Sequence, residues 1–132
     1  MTNQVFPITP EGEQNPYFSG RYFDQRGKHA LVTGATTDIA RALAVALAEA
    51  GAKVSVTTNA VLTDQEVFAN SILNECWAAS GEEGKSFTLD LTDADGFMEA
   101  IESLEQELGP VDILVNAPHF ANIKPVLPLL YL

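Results

Sequence analysis

The residues best placed to do chemistry lie in one short run, Thr33-Gly34-Ala35-Thr36-Thr37-Asp38-Ile39-Ala40. An apolar stretch, HALVT, leads into it and an Ala-rich stretch with helical spacing leads out. A turn from strand to helix presents free backbone N–H groups and the positive end of a helix dipole. Phosphate binds there, and a glycine lets it come close. The chemistry expected is capture of an anion such as a pyrophosphate, by Gly34, Thr36, Thr37, Asp38 and Ile39. Asp38 carries the wrong charge for that task, and two readings of it stand. Its carboxylate could face the anion, at a cost on the order of 1–4 kcal/mol for unit charges at about 4 Å. Alternatively it points away and caps the helix while its backbone N–H still serves the phosphate; this second reading is favoured.

Further polar residues stand at the ends of later apolar runs. Thr58 and Asn59 follow KVSVT, Asp90 follows KSFTL, and Asn116 and Ala117 follow VDILV. Elsewhere the chemistry is sparse. Cys76 is the one cysteine, at a helix-periodic position, and reads as a small buried hydrophobe. No His/Cys/Asp/Glu grouping has metal-ligand spacing, so no metal is expected. His119 has no carboxylate or thiol near it in sequence and reads as a surface loop residue.

These residues need elements to hold them, and the pattern supplies four strands and three helices. Strands are expected at residues 28–33, 53–58, 85–89 and 111–115. Between them, a helix over 38–50 places Ile39, Leu43, Ala46, Leu47 and Ala50 at helical spacing. A second over 64–79 has Val67, Phe68, Ile72, Leu73 and Cys76 as its inner face. A third, capped by Thr92 or Asp93, runs to Leu108 with Phe97, Ile101, Leu104 and Leu108 in register, and Gly109-Pro110 ends it. Strands alternating with helices through short connections imply an α/β fold with a parallel sheet and right-handed crossovers. Residues 1–22, broken by Pro7, Pro10 and Pro16, read as an extension docked on the domain. Residues 23–117 read as the domain, and residues 118–132 as an irregular tail.

Composition excludes several roles. The chain has 132 residues, 46% of them hydrophobic, enough for one domain with a core. Seven basic residues against eighteen acidic ones give a net charge of −11, with no basic cluster, so nucleic acid is not an expected partner. No run approaches the roughly 18 apolar residues of a membrane span, and no secretory signal is legible. Cytoplasmic residence is the expectation.

The turn also resembles the TGxxxGIG motif of the short-chain dehydrogenase/reductase family. Gly34 matches the first glycine and Ile39 the isoleucine, while Asp38 and Ala40 stand in place of the second and third glycines. Phe23-Asp24 and Gly27-Lys28 resemble that family's run-in to its first strand, and Gly51-Ala52-Lys53-Val54 its entry to the second. Leu89-Asp90-Leu91-Thr92-Asp93 and Asp112-Ile113-Leu114-Val115-Asn116-Ala117 resemble its signatures at strands three and four. The resemblance implies a partial Rossmann fold with strand order 3-2-1-4, and NAD or NADP as the bound dinucleotide. It implies hydride transfer on an alcohol or carbonyl as the family's reaction. Asp90 and Leu91 would hold the adenine, although Asp90 could equally just end its strand. Asn116 would steady the central sheet. The acid or Arg that selects NAD or NADP is replaced by Thr58 and Asn59, which state no preference.

The family's Tyr-x-x-x-Lys pair has no counterpart here. Tyr17, Tyr22 and Tyr131 have no Lys four positions on, so no catalytic residue is assigned. The expectation is a truncated oxidoreductase of this family: a dinucleotide-binding half lacking the C-terminal half, not catalytic alone. Premature termination, a frameshift or a fragmentary gene model would explain the run Pro128-Leu129-Leu130-Tyr131-Leu132. An exposed edge on the fourth strand would favour self-association or a partner chain. The alternative is a non-enzymatic nucleotide-binding or protein-interaction module using that edge.

Overall fold

The computed structural model describes residues 23–59, 63–90 and 92–117. The expectations for residues 1–22, Leu91 and residues 118–132, His119 and Tyr131 included, lie outside them. Strands β1 (His29–Thr33), β2 (Lys53–Thr58), β3 (Ser86–Thr88) and β4 (Ile113–Asn116) alternate with helices α1 (Asp38–Glu49), α2 (Thr63–Ser80) and α3 (Ala94–Leu108). The sheet is parallel, in the order β3-β2-β1-β4 expected from the sequence. Leu31 of β1 sits between Ser55 of β2 and Leu114 of β4, so β1 is central and all five of its residues are buried. A strand covered on both faces reads as a continuous apolar run, which is why HALVT does not alternate.

The core forms where α1 and α2 lie on the sheet. Val32, Val54 and Val56 meet Ala40, Ala44 and Ala48 of α1 and Ala69, Ile72 and Cys76 of α2. Burying a Val or Ile side chain contributes about 1.5–3 kcal/mol, so these residues carry much of the fold's stability. The inner face of α1 is therefore one residue out of phase with the expectation. Ala40, Ala44 and Ala48 face inward, while Ile39 is 71% and Leu43 41% exposed. Periodicity fixes the spacing of a buried face but not its phase. Here the small side chains take the inner row because they let the helix sit close to the strands. On α2 the same correction applies to Val67, 63% exposed, in favour of Ala69.

Element ends shift for local reasons. Asp93 caps α3, accepting from the Gly96 N–H at 3.1 Å. Strand β4 begins at Ile113 rather than Val111, because the Val111 N–H donates to the Glu105 carboxylate at 2.7 Å and not to a strand. Before β3, the Lys85 N–H donates to the Ser55 hydroxyl at 3.1 Å. Gly84 is needed there: a Cβ would collide with the Val54 carbonyl. Beyond β1, β4 pairs with no other described strand, and Leu114 on it is 56% exposed.

Candidate functional site

Because the strands are parallel, the polar residues at their C-termini come together along one end of the sheet. Gly34 turns the chain out of β1 with φ +71°, a conformation costing other residues about 1–2 kcal/mol. The Ala35 N–H then donates to the Thr57 carbonyl at 2.7 Å, fixing the turn to β2. Thr37, not Asp38, caps α1: its hydroxyl accepts from the Ala40 N–H at 3.1 Å. Asp38 is the first helical residue and is exposed, so the capping role expected of it belongs to its neighbour. An acid in the first turn favours the helix dipole, and it places a negative charge at the N-terminal end of α1.

The other expected residues flank this turn. Thr58 is buried at the end of β2, its hydroxyl 3.3 Å from that of Thr88, and Asn59 beyond it is exposed. Asn116 accepts from the Thr33 hydroxyl at 2.6 Å, and the Ala117 N–H reaches the Thr33 carbonyl at 3.2 Å, clamping β4 to β1 beside the turn. Asp90 accepts from the Thr92 hydroxyl at 2.6 Å and the Thr92 N–H at 2.9 Å. Those bonds, the hydroxyl first, hold its carboxyl below the usual range. Asp90 thus shapes the turn after β3 while remaining exposed at the same end. Sequence reasoning passed over Glu66. It lines, with Thr58, a cavity of about 190 Å³ beside the ends of β2 and β3. The only local signal was its place in the first turn of the helix that follows Asn59.

The opposite end of the sheet holds a second polar group that the sequence did not single out. His29 is 3% exposed. Its Nδ1 lies 3.1 Å from the Gly109 carbonyl, which can only accept, so Nδ1 carries the hydrogen. Its Nε2 lies 2.8 Å from the Ser55 hydroxyl. The His29 N–H donates to the Asp112 carboxylate at 2.9 Å, and Lys53 Nζ to the Leu108 carbonyl at 3.0 Å. Nearby, Arg26 bonds Asp24 and holds that carboxyl down to about 2. Cys76 lies in neither group. Burial, and after it the neighbouring Glu75, pushes its thiol up to about 12, where it is inert.

Comparison with known proteins places this arrangement. The sequence profile described as short chain dehydrogenase matches residues 28–127. A short chain dehydrogenase of Pseudocercospora fijiensis is 35% identical over 101 residues, which are 76% of this chain and 31% of that protein. A short-chain type dehydrogenase/reductase from Mycobacterium marinum superposes with a TM-score of 0.61 at 33% identity, over 74% of this chain and 37% of that one. An NADH-dependent reductase complexed with NAD superposes at 0.59 and 26% identity, covering 72% and 37%. A Burkholderia cenocepacia protein with bound NADP does so at 0.63 and 27%, covering 71% and 35%. The chain spans about a third of the length of the curated relatives it matches.

Proposed function

This chain belongs to the short-chain dehydrogenase family, and from that premise we propose that residues 23–117 bind a nicotinamide dinucleotide across the C-terminal ends of their strands. One observation carries the reading: the left-handed Gly34 turn opens onto the N-terminus of α1 beside the ends of β2 and β4. The fit is good in backbone and imperfect in charge. The N–H groups of Thr37, Asp38 and Ile39 are first-turn donors with no partner inside the helix, suited to a pyrophosphate. Buried Ala40 packs the helix onto the sheet where a glycine would do the same. Asp38 opposes the phosphates. Thr58, Asn59, Asp90 and Leu91 would meet the adenosine half, and Asn116 and Ala117 would border the path toward the nicotinamide.

When bound, the nicotinamide would accept or donate hydride. The residues of this chain bind and orient it. They contain no Tyr with Lys four positions on, so this stretch holds the cofactor without supplying that proton-transferring pair. Whether the cofactor is held is tested by calorimetry of the folded chain with NADH and NADPH. Micromolar binding is expected, and Gly34→Val should abolish it. A folded chain that binds neither overturns the reading. A second reading, an interaction module pairing through β4, draws on the exposed Leu114. A defined oligomer without dinucleotide binding would favour it.

A further inference from the structure

The cavity of about 190 Å³ beside α2 is lined by Thr58, Glu66, Asn70, Ser86, Phe87 and Thr88. Ala69 completes the lining; the Ser86 hydroxyl donates to Asn70 at 2.8 Å and the Thr58 and Thr88 hydroxyls lie 3.3 Å apart, which leaves the Glu66 carboxylate and the Phe87 ring as the groups that suit a nucleoside. Thr58 stands about 20 residues past the glycine turn, where this type of fold reads the ribose. Strand β2 itself ends in Thr57-Thr58-Asn59 and supplies no carboxylate. Glu66 does, from the first turn of α2. It is exposed and, among the described residues, has no salt-bridge partner.

The distribution of positive charge points the same way. Arg26, Lys28, Lys53 and Lys85 all precede or begin strands and so lie at the far end of the sheet. Arg41 on α1 is committed to α2. It donates to Glu75 at 2.6 Å and to Ser71 at 3.1 Å, and its guanidinium lies 4.8 Å from the centre of the Phe68 ring. Among the described residues, no uncommitted cation stands at the end of the sheet where a 2′-phosphate would need one.

We propose that Glu66 is the ribose-reading carboxylate of this chain, supplied by α2 instead of the end of β2, and that it selects NAD(H) over NADP(H). The inference rests on the dinucleotide reading above. A carboxylate accepts hydrogen bonds from the two ribose hydroxyls, and charge-assisted bonds of this kind are among the stronger ones. The same carboxylate repels a 2′-phosphate.

The test is titration of the whole 132-residue chain, and of Glu66→Gln and Glu66→Arg, with NADH and NADPH, with folding checked by circular dichroism. The unmodified chain should favour NADH about tenfold or more, the worth of one charge-assisted hydrogen bond. Glu66→Gln should bring the two affinities together, and Glu66→Arg should reverse them. A chain that favours NADPH, or a Glu66→Gln variant that keeps the original ratio, overturns the role of Glu66 and leaves dinucleotide binding standing. A folded chain that binds neither nucleotide overturns both.

Discussion

At the N-terminal ends of the strands, His29, Ser55, Gly109, Asp112 and Lys85 bond one another, and His29 itself is buried. At the C-terminal ends, Asp38, Asn59, Asp90 and Asn116 are exposed, and α1 begins with its cap at Thr37. The first group ties β1, β2, the lead-in to β3 and the α3–β4 corner together with polar bonds made within the protein. The second is more exposed, and its bonds are local or join neighbouring strands: Asp90 accepts from Thr92 and Asn116 from Thr33. Strand polarity alone thus puts the buried network at one end of the sheet and the proposed dinucleotide site at the other, because every strand runs the same way.

Substitution of His29 should break the comparison most sharply. His29→Ala takes the ring from the buried Ser55 hydroxyl, which keeps only the Lys85 N–H, and from the partly exposed Gly109 carbonyl; a lost buried bond costs about 1–3 kcal/mol, and the emptied ring site adds to it. A total loss of about 2–4 kcal/mol is expected in urea unfolding, with NADH affinity unchanged in the folded fraction. A parallel fall in affinity would show that the two ends are not independent. Asp38→Asn should do the reverse. Removing the charge beside the pyrophosphate should tighten NADH binding by about tenfold, while the lost dipole interaction lowers stability by about 0.5 kcal/mol. Unchanged affinity in calorimetry would mean that the carboxylate points away from the ligand. The smallest effect is acid sensitivity at the holding end. The folded-state value of Asp24 is about 2, against an ordinary 3.8. Its stabilising contribution is therefore present above about pH 3.8 and is lost as pH falls toward 2. Melting temperatures of the wild type and Asp24→Asn should differ slightly at pH 5 and converge near pH 2; parallel curves across that range would argue against the Asp24–Arg26 pair.

The sequence alone determined the parts of this protein that depend on near neighbours. Short apolar runs set four strands, helical spacing set three helices, and the polar residues just past each strand fall at one end of the sheet, because a parallel sheet collects those positions by construction. Gly34 was legible as a turn for the same local reason. Tertiary structure decided which helical row turns inward. The rows containing Ile39 and Ala40 have the same period, and only contact with the sheet selects the smaller. It also decided that Thr37 takes the cap, a choice between adjacent residues that share the preference. The His29 network joins residues 26 and 80 positions apart, and the cavity shared by Thr58 and Glu66 exists only once α2 folds back across β2. Spacing along a chain carries no information about such pairs, since it is the crossover of the strands that brings them within bonding distance.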